Sequence, residues 1–390
     1  MNQEKPFRSF FLFLLLIFFW CTFFGGLKFL MTKLASGNIQ SSPEELLEHI
    51  AAWISMGTIV AYLIGGSLAN HFTKRTLLFF VSFATIGILL VEFFFGFSHL
   101  SVLLWGMAGI GLLYGIFAIL RTIITYIEIV KTQLPDTTVN GIATITFILS
   151  AIIGSFLGNY LHEQFGSIAF WIFLLFLVTA LGVIFFLRYE SFEHHRPFGK
   201  SFPEMFRDVS WIAERAWVLL LASSALWAIS TAVSLKAIPY ASEKFDIQNS
   251  TATLIVLCSA LGAALGNALT VRIQRRWLAF RIFSYTFAVL VFLFQIVTNS
   301  FFETLGYAFV IGVCMGAATN IADATYLSFI GKNHKKENGA ALQGGIINIF
   351  LVVILLFLPK EQAFSIMGIG TAVLILLVRL KLSLVMCLEK

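Results

Sequence analysis

The sequence predicts an all-α membrane protein in which twelve transmembrane helices form two pseudo-symmetric six-helix bundles. Three observations predict this class. Of the 390 residues, 59% are hydrophobic and 12% are charged, whereas soluble domains carry roughly 25% charged residues. Apolar runs of about 20 residues, the length that crosses a bilayer, recur from end to end. One long polar segment separates six of these runs from the other six.

The apolar runs are interpreted as helices, because barrel strands would alternate apolar and polar residues and the sequence lacks that alternation. The first run resembles a signal peptide in position, but it is too long, has no small-residue cleavage site and precedes eleven further spans, so we expect it to be retained. The predicted spans are 9–34, 47–70, 76–98, 101–130, 139–162, 168–187, 213–241, 250–271, 278–299, 303–330, 338–359 and 364–386.

The distribution of basic residues predicts the orientation. Lysines and arginines concentrate in alternate loops, such as those around Lys74, Lys131 and Arg275, whereas the remaining loops are rich in glutamate. Basic loops stay on the cytoplasmic side of a membrane. We therefore expect an inner (cytoplasmic) membrane protein with both termini in the cytoplasm. The net charge of +6 then reflects topology, and no nucleic-acid partner is expected.

The polar segment divides the chain into an N-terminal bundle (1–190), a cytoplasmic linker (191–212) and a C-terminal bundle (213–390). The two halves resemble each other at an offset near 200 residues, which indicates internal duplication. Parallel repeats of this kind place the substrate between the halves near the membrane midplane. The matching positions are Lys28 and Lys236, Gly111 and Gly312, Gly115 and Gly316, Lys131 and Lys332, and Asn140 and Asn338.

The loop after the second span resembles a motif of the major facilitator superfamily. The family pattern has a glycine, an aspartate, a second glycine and two basic residues, and this chain has "GSLANHFTKR". Gly66, Lys74 and Arg75 match the pattern, while Asn70 replaces the aspartate and Thr73 replaces the second glycine. The resemblance implies the major facilitator fold and a conformational loop formed by Gly66, Asn70, Lys74 and Arg75.

Two lysines inside spans are candidate substrate-binding residues. A charged residue at a helix centre costs about 2.5 to 3.5 kcal/mol on insertion scales, so it needs a partner, water or a route to the interface. Lys28 and Lys236 occupy matching places in spans one and seven, which face each other across the cavity in this architecture. Together they would form a cationic site for a phosphate or carboxylate. The alternative for Lys28 is that its side chain extends to the membrane surface.

Other polar residues in the spans suggest a gate and a cavity lining. Arg121 and Asp323 lie in spans four and ten and could pair across a cytoplasmic gate, or each could serve only a local role. Glu92 and Glu128 lie near span ends and are interpreted as interfacial. Tyr114, Gln343 and Asn348 are expected to line the cavity, although polar residues also hold membrane helices together. The glycine-rich spans are expected to permit close helix packing.

The sequence gives no indication of an enzyme or a cofactor. The cysteines are widely spaced within spans, and the His194–His195 pair is interpreted as part of a solvated linker. The "FGKS" stretch lacks the first glycine and the preceding strand of a phosphate loop. We therefore expect transport to be driven by an ion or substrate gradient through alternating access.

Within the superfamily, three segments resemble the bacterial lysophospholipid transporter family: residues 226–269, 139–161 and "GKNHKKENGAALQGG" at 331–345. The resemblance implies movement of lysophospholipids across the inner membrane, with a cytoplasmic acyltransferase as partner. The family's basic position in span seven matches Lys236. Its acidic position in span one corresponds to Gly26, which is a departure from the family.

Two other functions stay open from the sequence. One is export of an amphipathic drug or metabolite, and the other is a non-transporting scaffold on the same fold. Two lysines in the spans favour an anionic or zwitterionic amphipath over a cationic drug. We expect the protein to act as a monomer with a lipid or other small-molecule substrate.

Overall fold

The computed structural model describes residues 6–36, 43–95, 99–134, 136–187, 198–270, 273, 275–332, 336–358 and 362–388. All regular structure in these ranges is helical, which confirms the all-α prediction. The helices are α1 (Pro6–Ser36), α2 (Pro43–His71), α3 (Lys74–Phe95), α4 (Leu100–Thr132), α5 (Asp136–Phe165), α6 (Ile168–Phe186), α7 (Phe198–Arg215), α8 (Trp217–Phe245), α9 (Asn249–Ala252), α10 (Leu254–Thr270), α11 (Arg276–Val297), α12 (Phe301–Lys332), α13 (Lys336–Phe357) and α14 (Ala363–Leu388).

Eleven helices in the described ranges are long and apolar enough to cross a membrane, and each corresponds to a predicted span. The eighth predicted span, 250–271, differs. It is divided at Thr253 into α9, which has 4 residues, and α10, which has 17. At 1.5 Å per residue, α10 measures about 25 Å, somewhat less than the hydrocarbon thickness of about 30 Å.

The predicted linker contains a helix that sequence reasoning missed. Residues 188–197, including His194 and His195, lie outside the described residues, but α7 occupies 198–215. Its apolar residues recur at helical spacing, at Phe198, Phe202, Phe206 and Val209, a period typical of an amphipathic helix. Ala216 alone separates α7 from the span α8. The C-terminal end of α7 therefore lies next to the start of a membrane span.

The chain forms two compact units. The first comprises Met1–Val209 with Ala340–Asn348, and the second comprises Ser210–Gly339 with Ile349–Lys390. Residues 340–348 of α13 thus belong to the first unit, where Ala341 is buried in the same core as residues of α1, α2 and α4. The domain bounds 1–190, 191–212 and 213–390 stay a prediction.

In the first unit, α1 packs most closely against α5, and α2 against α4. Glycines allow the backbones of α1 and α5 to touch. A Cβ atom added at Gly25 would lie 2.0 Å from the Ala151 carbonyl oxygen, and one added at Gly154 would lie 2.0 Å from the Thr22 carbonyl oxygen. Small residues at helix contacts are the usual means of close packing in membranes. The α1–α5 contact therefore depends on glycine from both sides.

The matching glycines of the two halves have equivalent structural roles within their own units. In the first unit, a Cβ at Gly111 of α4 would lie 2.0 Å from the Ile54 carbonyl oxygen of α2. In the second unit, a Cβ at Gly312 of α12 would lie 1.7 Å from the Ser259 carbonyl oxygen of α10. Gly111 and Gly312, which are 201 residues apart, thus make corresponding contacts. The first lies between spans two and four, and the second lies between spans eight and ten.

The basic residues of the loop after α2 hold helix ends together in the first unit. The Lys74 ammonium group donates a hydrogen bond to the Ala69 carbonyl oxygen near the end of α2 (3.0 Å), and Arg75 Nη2 donates to the Phe185 carbonyl oxygen near the end of α6 (3.0 Å). Cations are favourable at helix C-termini. Thr73 accepts a hydrogen bond from the Thr76 amide at the start of α3, so threonine in place of the family's glycine caps a helix.

Replacing Lys74 with methionine is expected to destabilise the protein by about 1 to 2 kcal/mol, because a buried charge-assisted hydrogen bond to a helix C-terminus is lost. Lys74 is 5% exposed. The measurement is reversible unfolding of the purified protein in detergent. Arg75→Met, at an exposed position, is the matched control and should have a smaller effect. A larger effect for Arg75→Met than for Lys74→Met would contradict this assignment.

Candidate substrate site

Helix α1 presents Trp20, Phe24 and Lys28 at intervals of four residues, so the three side chains follow one face of the helix. Two of them stack on rings of α4. The Trp20 and Phe117 ring centroids are 4.2 Å apart with an interplanar angle of 8°, and those of Phe24 and Tyr114 are 3.6 Å apart at 6°. We call these four rings the aromatic stack. The aromatic stack sets the position of α1 along the axis of α4 in the first unit.

The two halves of the aromatic stack differ in exposure. Trp20 and Phe117 are fully buried, and Trp20 Nε1 donates a hydrogen bond to Ser82 Oγ (3.0 Å), which ties the indole to α3. Phe24 and Tyr114 are half-buried. The inner pair therefore serves the core, whereas the outer pair retains accessible ring surface for a ligand.

The Lys28 side chain is half-buried, and its ammonium nitrogen lies 5.2 Å from the centroid of the Phe29 ring. Within the described ranges, this ammonium group has no hydrogen-bond acceptor and no ion-pair partner. A span lysine without a counter-charge is costly. No described residue neutralises the charge of Lys28, as expected for a group that binds an anion.

Close packing at Gly26, against Phe173 and Gly154, leaves no room for a side chain two residues before Lys28. A Cβ at Gly26 would lie 2.2 Å from the Phe173 ring of α6 and 2.4 Å from the Gly154 carbonyl oxygen. A carboxylate side chain at this position would not fit without displacing α5 or α6. The acidic residue that the resemblance to the lysophospholipid transporter family would imply at position 26 is therefore excluded by packing. Lys28, two positions later, has no neighbouring acid at position 26.

The second unit contains Lys236 and Asp323. Lys236 of α8 is 5% exposed. Asp323 of α12 accepts hydrogen bonds from the Ser223 hydroxyl and from Trp227 Nε1 (2.6 Å), both of α8. These bonds connect α8 to α12 within the unit. The joint role of Lys28 and Lys236 in binding the substrate stays a prediction.

Arg121 of α4 lies near the aromatic stack. Its guanidinium carbon is 4.1 Å from the centroid of the Phe147 ring of α5, the geometry of a cation–π contact. The side chain is half-buried. Its charge lies within electrostatic range of Cys21, Tyr62 and Tyr114. The gate in which Arg121 pairs with Asp323 stays a prediction.

The remaining predicted cavity residues fall in the first unit. Gln343 is largely buried and Asn348 Nδ2 donates to the Gly344 carbonyl oxygen (2.9 Å). A Cβ at Gly344 would lie 2.1 Å from the Tyr62 ring, so this part of α13 packs directly on α2. Tyr114 belongs to the aromatic stack. The structure thus brings Tyr114, Tyr62 and Arg121 together, while Gln343 and Asn348 flank the Tyr62 contact.

The conformational loop is described in part. Gly66 is buried in α2, and the contacts of Lys74 and Arg75 are given above. The side chain of Asn70 lies outside the described residues. The role of these four residues in conformational change stays a prediction.

Glu92 and Glu128 are buried against neighbouring helices, and their interpretation as interfacial stays a prediction. Glu92 is 2% exposed and Glu128 is 0% exposed. Glu92 packs on α4, where a Cβ at Gly106 would lie 1.6 Å from Oε1. Glu128 Oε1 accepts a hydrogen bond from Ser9 Oγ (2.6 Å). The position of a residue near a helix end gives its depth in the membrane, but it does not show whether the side chain faces lipid or a neighbouring helix.

Sequence reasoning missed Trp20, Tyr62 and Phe147 as neighbours of the charged side chains. The spacing of Trp20, Phe24 and Lys28 was a usable signal, because residues four apart share a helix face. No comparable signal marks Tyr62 or Phe147, since their proximity to Arg121 arises from packing between different helices.

Comparison with known proteins identifies the fold. A family model described as Major Facilitator Superfamily matches residues 9–357. The solved structure of the human organic anion transporter MFSD10 (TETRAN) is similar, with a TM-score of 0.71, 14% identity, and coverage of 96% of this chain and 100% of that chain. No curated protein matches the chain significantly.

Two structures of a sugar transporter are also similar. FucP, a Major Facilitator Superfamily transporter in the outward conformation, gives a TM-score of 0.70 at 13% identity and covers 97% of this chain and 99% of its own. A substituted form of FucP, the fucose:proton symporter of E. coli, gives 0.71 at 14%, with coverage of 97% and 99%. At these identities the likeness concerns the fold alone.

Proposed function

This chain belongs to the Major Facilitator Superfamily, and we propose that it moves an amphipathic substrate with an anionic group, of the lysophospholipid class, across the inner membrane by alternating access. In that mechanism, binding energy shifts an equilibrium between outward-open and inward-open states. The family consists of membrane transporters, in agreement with the expectation that the chain is not an enzyme.

The observation that carries the proposal is the Lys28 ammonium group, which sits within a span beside accessible aromatic surface. A lysophospholipid combines a phosphate with one acyl chain. It therefore needs a cationic group next to an apolar wall, as sites for small molecules generally combine apolar surface with a few placed polar groups. Lys28 provides the cation, and the half-buried rings of Phe24 and Tyr114 provide the wall.

Several further assignments accompany this proposal. Lys236 of the second unit adds positive charge, and Tyr114, Gln343 and Asn348 supply polar contacts. The N- and C-termini are cytoplasmic, as the distribution of basic loops favours. A cytoplasmic acyltransferase that consumes the transported lysolipid is the partner implied by the family resemblance.

The experiment that tests the proposal is transport in vesicles containing the purified protein. Labelled lysophosphatidylethanolamine is compared with a single-chain trimethylammonium amphiphile, with and without pH and sodium gradients, and protein-free vesicles give the background. The proposal expects protein-dependent movement of the lysophospholipid. Movement of the cationic amphiphile alone would favour the drug-export function, and movement of neither by folded protein would favour the scaffold.

A further inference from the structure

Arg121 is a half-buried charged side chain within a membrane span. Within the described residues, its guanidinium group makes a cation–π contact with Phe147 and has no hydrogen-bond acceptor or carboxylate partner. The groups within electrostatic range of its charge, Cys21, Tyr62 and Tyr114, are of residue types that are ordinarily neutral near pH 7. A guanidinium group has five N–H donors in a planar fork. Those donors remain available to a ligand.

The aromatic stack separates Arg121 from Lys28. Trp20 stacks on Phe117, and Phe24, which is later in α1, stacks on Tyr114, which is earlier in α4. The two helices are therefore antiparallel. Lys28 is four residues beyond Phe24 on α1, and Arg121 is seven residues beyond Tyr114 on α4. At 1.5 Å per residue, Lys28 and Arg121 are displaced by about 6 Å and about 10 Å along their helices, in opposite directions from the Phe24–Tyr114 pair. The two cations therefore lie on opposite sides of the same rings.

We propose that Arg121 is a second anion-binding position on the substrate path, distinct from Lys28, which takes phosphate or another oxyanion carried by an amphipathic molecule. The position deepens the proposed function and rests on it. A guanidinium stacked on an aromatic ring is held in one plane and can bind two oxygens of a phosphate side by side. The anionic group binds at one cation and then at the other, while the acyl chain stays on the accessible rings of Phe24 and Tyr114.

The test is chemical labelling of arginine in the full-length protein. Phenylglyoxal reacts with accessible guanidinium groups, and mass spectrometry reports the modification of each arginine. The probe is dodecyl phosphate, and dodecyl glucoside is the uncharged control. Dodecyl phosphate is expected to slow labelling of Arg121 by roughly tenfold, the effect of one charge-assisted interaction. Labelling of Arg281, an exposed residue of α11, should not change.

Other results would overturn the assignment. Arg121 that is not labelled at all is inaccessible to a ligand, and Arg121 labelled equally with and without dodecyl phosphate binds no anion, as expected for a residue that serves only as a gate. Protection by dodecyl glucoside as well would show binding of the alkyl chain rather than of the anion.

A second variant tests whether the two positions are distinct. In Lys28→Gln, protection of Arg121 by dodecyl phosphate should stay within about twofold of wild type. A twofold change is smaller than the effect of losing one charge-assisted interaction. Loss of protection in this variant would mean that both cations form a single site, and the second position would be rejected. Because labelling uses no lysophospholipid, failure of the vesicle experiment and failure of this one are separate results.

Discussion

Replacing Gly25 with leucine is expected to prevent α1 from packing on α5 and to leave little folded protein. The Cβ atom alone would lie 2.0 Å from the Ala151 carbonyl oxygen and 2.7 Å from its Cα. These are backbone atoms, which cannot rotate away, so α1 and α5 would have to separate. Overpacking a core costs up to about 3 kcal/mol in typical cases. That cost is a large fraction of the free energy of unfolding of a protein. The measurement is the yield of monodisperse protein and its thermal stability in detergent.

Gly87→Leu is the matched control for this change. Gly87 is an exposed helical glycine of α3, and no atom lies within 4 Å of the position that its Cβ would take. A leucine there should be tolerated and should improve helix propensity. Equal losses of folded protein in Gly25→Leu and Gly87→Leu would show that the α1–α5 contact is not what makes Gly25 necessary.

Replacing Lys28 with methionine is expected to reduce transport of an anionic substrate by roughly 10- to 100-fold, as befits the loss of one charged interaction. The same change should leave thermal stability unchanged or raise it. The reason is that the Lys28 ammonium group has no partner within the described ranges, while its charge is costly inside a span. Loss of transport without loss of stability separates a binding role from a structural one.

Lys33→Met is the control on the same helix. Lys33 lies 3.9 Å from Glu163 near the end of α1, and both side chains are partly exposed. A surface ion pair of this kind contributes little, so both transport and stability should be nearly unchanged. Transport retained in Lys28→Met, or lost equally in both variants, would contradict the role of Lys28. Lys28→Arg should retain part of the activity because the charge is preserved.

The sequence was sufficient for the architecture because membrane insertion makes strong demands on composition. Length and hydropathy identified the spans, and the offset between Gly111 and Gly312 identified contacts that recur in both units. Gly26 illustrates a further step. The sequence showed a departure from the lysophospholipid transporter family, and the structure explains it, since Phe173 and Gly154 leave no room for a side chain.

The features that the sequence did not predict depend on which neighbouring helix a side chain faces. Glu92 and Glu128 were placed at the interface from their depth, yet both face other helices. The neighbours of Arg121 on α2 and α5 could not be known from its own helix, and its role in a gate stays a prediction. Helix α7 was overlooked because charged and polar residues between its apolar positions lower the average hydropathy, and only helical periodicity could have revealed it.

The most direct test of the account is an experimental structure of the purified protein with a bound lysophospholipid. The account predicts that the phosphate lies within hydrogen-bonding distance of Lys28 or Arg121, with N–O distances of about 2.7 to 3 Å, and that the acyl chain contacts the rings of Phe24 and Tyr114. A phosphate bound elsewhere, with both cations free of the ligand and the acyl chain on the exposed apolar residues of α3 or α6, would contradict it.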